Sequence, residues 1–407
     1  MTNPMGGLAR RASFIDSVRN EGRSVCIVDA GDFIARQDRV SDKSSIQLRI
    51  AAEFMLQAMD RMGYAAANVG EGDLLFGDRF LAALAAPLGF PLLSASFSVG
   101  GDFPFARVRR LDIGGVAVGI TGITWHGFAP YVRDHADPGR VSDLLDTAAA
   151  MRDGLARVEG ANLKVLLAHV PLAELRILLA DIPGYDLAIA GHETNVAPFA
   201  VPERIGSAYL VSEGWDGKTV GRLDCSLDRA GTLVTAAGSS MLLDGAWPSH
   251  PDMVTLHDDY LARVAAAARD ILAEYPVSPP PSGTRYVGVQ ACRTCHAGQW
   301  SAWRQTKHAL AWQTLSDRGR DYDPACFACH VNGFQFTGGF TLYEDTPGMA
   351  AVQCESCHGA GADHCDAPTL PYHRPTAATC TRCHVDPHSP NFDYDTYLPK
   401  VLHPKAP

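Results

Sequence analysis

The sequence of 407 residues has no apolar run approaching the ~18–20 residues that a membrane-spanning helix needs, so no segment reads as a transmembrane helix. It also lacks a basic excess. With 35 Lys and Arg against 45 Asp and Glu, the formal charge is −10, which argues against nucleic-acid binding, because that rests on neutralising phosphates. Cysteine is scarce at first: Cys26 and Cys225 alone fall in the first 283 residues, too few for a disulfide framework, and both read as small apolar side chains on strands. The last 124 residues have one methionine, Met349, and few amphipathic helical stretches from which to assemble an ordinary core. At 46% hydrophobic and 20% charged, the chain is neither disordered nor collagen-like.

What is present is concentrated near the C-terminus. Nine of the 11 cysteines lie between Cys292 and Cys383. Just upstream, Tyr275-Pro276-Val277-Ser278-Pro279-Pro280-Pro281-Ser282-Gly283 has prolines that fix φ and remove amide donors, favouring an extended connector. The organisation expected is a domain over 1–250, a helix and Pro-rich linker over 251–283, and a second domain over 284–407. The second is nearly neutral, with 10 Lys and Arg against 11 Asp and Glu.

Within 284–407 the pattern C-x-x-C-H occurs four times: Cys292, Cys295 and His296; Cys326, Cys329 and His330; Cys354, Cys357 and His358; Cys380, Cys383 and His384. This is the attachment signature of c-type haem. Two thiols three positions apart can each add to a porphyrin vinyl group, and the next residue offers an imidazole to the iron. Zinc ribbons also use C-x-x-C pairs, but they do not call for a histidine after every second cysteine. Four covalent haems c are therefore expected, their porphyrins supplying buried apolar surface that the chain itself lacks. Five further histidines, His308, His364, His373, His388 and His403, outnumber Met349, so bis-histidine ligation and low potentials are expected. His308, His364 and His403 are the candidate distal ligands.

These motifs, with Tyr286-Val287-Gly288 before the first, Trp303 and His308 after it, the Cys354 to His364 run and the Phe392 to His403 tail, resemble the cytochrome c-554 family of tetrahaem cytochromes. The resemblance implies a small, mainly helical and loop domain, closely packed haem pairs, electron transfer, and three bis-histidine haems beside one five-coordinate haem. The haem at His330 is then the candidate for the open iron.

The first 250 residues alternate short apolar runs with helical patterns, which predicts a layered α/β domain. Candidate strands are Val25–Asp29, Ala65–Val69, Pro91–Ser94, Val116–Thr121, Lys164–His169 and Asp186–Ala190, with a hairpin from Val220–Leu227 and Leu233–Leu243. Ile46, Ile50, Phe54, Ala58 and Met62 recur every four residues and mark one buried helix face. Three loops follow strands where α/β proteins place ligands: Asp29-Ala30-Gly31-Asp32, Ala168-His169 and Gly191-His192-Glu193-Thr194. Their order resembles the calcineurin-like metallophosphatases, and among them the 5′-nucleotidases, over residues 6–243.

That resemblance implies an αββα fold with two divalent metals that activate water. Asp32, His169 and His192 match ligand positions. Gly70-Glu71-Gly72-Asp73 stands where Gly-Asn-His-Glu is the family pattern, and Thr194 where a final histidine is expected. The Asp-x-His strand that should precede Gly6-Gly7 is absent from this sequence. At most one divalent ion is expected at Asp32, His169 and His192, and no phosphatase activity.

The leading expectation is thus a periplasmic or otherwise extracytoplasmic electron carrier between a quinol- or cytochrome-linked donor and an unknown acceptor, fused to an inactive phosphatase-like module. The alternatives are a redox enzyme acting on a small nitrogen or sulfur compound at a five-coordinate haem, and an active 5′-nucleotidase-like phosphoesterase. Met1-Thr2-Asn3-Pro4-Met5 opens no signal peptide, so an N-terminal continuation with an export signal and the first strand is expected.

Overall fold

The computed structural model describes residues 5–34, 45–135, 142–192, 201–213, 217–369, 372–385 and 388–404. The chain divides into two compact units, Met1–Val40 with Ala51–Asp258, and Ser41–Ile50 with Asp259–Pro407.

The first unit is α/β. A three-stranded parallel sheet runs Val28–Asp29, Ala66–Asn68, Leu92–Leu93. A six-stranded sheet has the order Glu203–Ile205, Ala208–Ser212, Leu187–Ala190, Leu163–His169, Val116–Thr124, Val108–Ile113, parallel in its centre with an antiparallel strand at each edge. Three apolar layers follow from this. Ala66 and Leu93 of the small sheet meet Val118, Ile120, Val165 and Leu167 of the large one. The helix Ser45–Arg61 buries Leu56, Ala58 and Met59 against Ala67 and Leu92 on the small sheet's other side. The helices Thr147–Arg157 and Leu172–Asp181 bury Met151, Leu175 and Leu179 against Ile123, Leu166 and Ala188. The order is αββα, as the alternation of apolar runs implied. The hairpin Thr219–Leu227 and Leu233–Leu242 also forms, and Cys225 packs partly buried on the inter-sheet layer. Cys26 departs from expectation: it precedes the strand Val28–Asp29 and its side chain is exposed.

The second unit has short helices joined by loops, and among its described residues only isolated β-bridges. Its apolar core is small, centred on Leu315, Phe327, Val331 and Phe340 with Trp312 edging it. Polar side chains hold the loops instead. Glu355, 1% exposed, accepts hydrogen bonds from the amides of Val287 (3.0 Å), Gly288 (2.8 Å) and Gly361 (2.8 Å) and from Asn332 Nδ2 (2.8 Å). Gln353 accepts from the Val289 amide at 2.7 Å and donates to the Gly348 and Ala350 carbonyls. Together they tie the helix Val289–Arg293 to the helix Cys354–His358.

Candidate functional site

In the first unit, four loops at the C-terminal ends of parallel strands converge. Glycines make this possible: a Cβ on Gly31 would strike the Gly70 backbone, one on Gly70 would strike the Asp32 carboxylate, and one on Gly191 would crowd Ala30 and His169. Asp32 (φ 62°) and His192 (φ 74°) both adopt left-handed backbone, a conformation that costs a non-glycine residue ~1–3 kcal/mol and that concentrates at functional sites.

Asp32, His169 and His192 meet here, and Glu71 joins them. His169 Nε2 lies 2.9 Å from Glu71 Oε2 and 3.4 Å from Asp32 Oδ2, and His192 Nδ1 lies 3.5 Å from Glu71 Oε1. Ligand atoms of Glu71, His169 and His192 all fall within 4.8 Å of one another, enough for a metal site. Burial would lower the pKa of His169, but the Asp32 and Glu71 carboxylates outweigh it and hold the ring well above its ordinary range. Burial would likewise raise Glu71; its contacts with the two histidines prevail and hold it at about 2. Phe128 packs over the His192 ring at 4.8 Å, and the Tyr131 hydroxyl is buried without a partner, pushed up to about 12 by burial and by the nearby Asp32, Glu71 and Asp73 charges.

The two-ion cage of a metallophosphatase does not fit these residues. Asp73 is committed to the backbone, accepting from the amides of Asp32 (2.8 Å), Ile34 (2.9 Å) and Gly70 (2.9 Å). Gly72 has no side chain to offer, and Glu193 and Thr194 lie outside the described residues. Glu71 is the residue that sequence reasoning missed. It was visible only as a departure from a family pattern, with nothing to say that the new carboxylate would turn inward.

In the second unit, each C-x-x-C-H run is helical over part of its length, as in Pro324–His330 and Cys354–His358, so its two sulfurs share one helical face. All 11 cysteines are free thiols. Thiols of different motifs are neighbours: Cys292 shares a hydrogen bond with Cys354, and Cys329 with Cys383, whose Sγ is also 3.8 Å from the Ala328 carbonyl. Arg382 Nη2 donates to the Ser356 carbonyl at 3.2 Å, linking the fourth motif to the third.

The histidines fall into pairs. Ring centroids are 6.0 Å apart for His296 and His364, 6.2 Å for His308 and His384, and 5.9 Å for His358 and His403. Two imidazoles on opposite sides of one metal, each nitrogen at ~2.0–2.1 Å, would have centroids about 6.3 Å apart, so the pairs fit trans ligation of a haem iron. The Nδ1 partners agree. His358 Nδ1 meets the His373 carbonyl at 2.8 Å, His330 Nδ1 the Ala311 carbonyl at 2.9 Å, and His403 Nδ1 the Pro404 carbonyl at 3.0 Å. A carbonyl accepts only, so Nδ1 is the protonated nitrogen and Nε2 carries the lone pair a metal needs. His330 has no ring contact with another histidine among the described residues; beyond Ala311 its Nδ1 lies 3.3 Å from Thr314 Oγ1. His308 sits on the 3-10 turn Lys307–Leu310, and His364 on the short helix Ala362–Asp366.

Comparison with known proteins follows the same division. Residues 291–359 match the family model for "Cytochrome c554 and c-prime". Cytochrome c-554 of Nitrosomonas europaea is 36% identical over 91 residues, which is 19% of this chain and 39% of that protein. Bovine 5′-nucleotidase is 22% identical over 275 residues, 61% of this chain and 46% of its own length. The chain thus spans under half the length of either curated relative. The solved 5′-nucleotidase precursor of Thermus thermophilus superposes with a TM-score of 0.55 at 21% identity, covering 78% of this chain and 63% of that one, a likeness of fold. The C-terminal region is homologous to cytochrome c-554, and the N-terminal region resembles the 5′-nucleotidases and calcineurin-like phosphoesterases in sequence and fold.

Proposed function

We propose that residues 284–407 form a tetrahaem cytochrome that carries electrons outside the cytoplasm, between a quinol- or cytochrome-linked donor and a terminal acceptor. The observation that carries this reading is the histidine pairing. Each of His296, His358 and His384 follows a C-x-x-C pair and faces a histidine far away in sequence, at the separation that trans ligands of one iron require. Haem c, when bound, supplies reversible one-electron chemistry.

The chain's own residues set the route and the tuning. The Cys292 and Cys354 neighbourhood places the first motif beside the third, Cys329 and Cys383 place the second beside the fourth, and Arg382 with Ser356 joins the third to the fourth. This supports a linear order of first, third, fourth and second. Carbonyls of His373 and Pro404 fix their imidazoles, and Glu355 places a fixed carboxylate within the third motif. The N-terminal domain is read as a docking or structural module without phosphoesterase activity, because Asp73 is consumed by backbone amides and Gly72 offers no ligand.

A second reading has one observation of its own. His330 is the proximal histidine left without an imidazole opposite it among the described residues, which favours an open iron that binds a small ligand. Low-temperature EPR with a haemochrome assay tests both. Four haems with three low-spin signals and one high-spin signal are expected; fewer than four haems, or histidine-paired irons that are high-spin, would overturn the assignment.

A further inference from the structure

The N-terminal cluster raises a question that haem chemistry does not touch. His169 Nε2 and Glu71 Oε2 are both fully enclosed and 2.9 Å apart, yet neither has a hydrogen-bond partner of acceptable geometry. The Nδ1 of His169 lies 3.2 Å from the Ala30 carbonyl, which can only accept, so that nitrogen donates and the ring turns its lone pair toward the carboxylate. Two electron-rich atoms held this close in a dry site call for a cation between them, since an uncompensated buried charge is strongly destabilising.

The spacings say what kind. Donors at ~2.0–2.2 Å from a common ion are separated by about 3.0 Å in octahedral and about 3.4 Å in tetrahedral geometry. The observed separations are 2.9, 3.4 and 3.5 Å, the edges of one coordination shell. We propose that Asp32, Glu71, His169 and His192 form a mononuclear site for one first-row divalent transition ion. Mixed imidazole and carboxylate donors suit Mn²⁺ through Zn²⁺ rather than Ca²⁺ or Mg²⁺, which prefer all-oxygen cages. Asp32 is already oriented, its Oδ1 accepting from the Gly72 amide at 2.8 Å while Oδ2 faces His169. Glu71 is the defining ligand: it reaches toward both histidines, and its charge together with that of Asp32 cancels the ion's two positive charges. A neutralised ion attracts an incoming phosphate weakly, so the site is structural or redox-linked and not a phosphate-activating one.

The test is a room-temperature EPR titration of the chelator-stripped, haem-loaded full chain with MnCl₂, in which free Mn²⁺ gives a six-line signal that bound ion loses. One Mn²⁺ per chain is expected, with Zn²⁺ displacing it, and at least tenfold weaker binding in Glu71→Ala and in His192→Ala. The second change lies at the partly exposed edge, where folding is least at risk, and circular dichroism of each variant checks that the fold persists. Two ions per chain, no binding, or unchanged affinity in folded Glu71→Ala and His192→Ala would each overturn the proposal. Haem content is measured in parallel, so failure of this site is distinguishable from failure of the cytochrome reading.

Discussion

Glu355→Gln tests how the second unit is held together. The carboxylate accepts from four buried donors: the amides of Val287, Gly288 and Gly361, and Asn332 Nδ2. The amide side chain keeps one oxygen and turns an NH₂ group on the donors of the other, so two donors lose their acceptor whichever way it points. Each orphaned buried donor costs ~1–3 kcal/mol, giving about 2–6 kcal/mol in total. Against a domain stability of ~5–15 kcal/mol that is a large fraction. For a unit of this size ~1 kcal/mol shifts Tm by about 2–4 °C, so a fall of about 5–20 °C is expected. The assay is far-UV circular dichroism of the haem-loaded full chain, with Glu355→Ala as the severe case that orphans every donor. A Glu355→Gln melting point within about 2 °C of wild type would refute the idea that this carboxylate, more than the small apolar core, holds the loops.

Other consequences are equally open to measurement. His308→Ala and His403→Ala should each convert one low-spin haem to high-spin, read by EPR, and raise that haem's potential; unchanged spectra would remove the residue from the ligand set. Gly70→Ala drives a methyl group into the Asp32 carboxylate, so it should lower Tm by ~1–3 kcal/mol equivalent and weaken Mn²⁺ binding together, and loss of neither would show the loops are looser than described. Gln47→Ala removes a buried donor 2.6 Å from Asp323 Oδ1 and should cost ~1.5–3 kcal/mol in chemical denaturation, a charge-assisted bond being at stake.

Much of the architecture was legible in the sequence for local reasons. C-x-x-C-H is a contiguous pattern whose chemistry is carried by its own spacing, and the buried strands Lys164–His169 and Asp186–Ala190 announce themselves as short apolar runs bounded by polar loops. Pairing was not legible. His358 and His403, or His308 and His384, meet through the tertiary fold, and no local period encodes which spare histidine turns toward which motif. Glu355 occupies an unspecified position of a haem motif and reads as solvent-facing until five loops are seen to close on it. Glu71 was hidden for the same kind of reason: a lost ligand pattern predicts an emptier cage, whereas the structure fills it with a different carboxylate.

The adjacency of thiols from different motifs bears on how the protein is made. A haem-free chain that reached its native contacts would hold Cys292 against Cys354 and Cys329 against Cys383, where an oxidant joins them more readily than a porphyrin can be threaded between the motif partners. Maturation is then a race between cross-linking and cofactor attachment, and the chain depends on reductant, or on being loaded while still extended. Peptide mapping of haem-starved cells should recover the Cys292–Cys354 cross-link, and its absence under oxidising conditions would mean that attachment precedes folding.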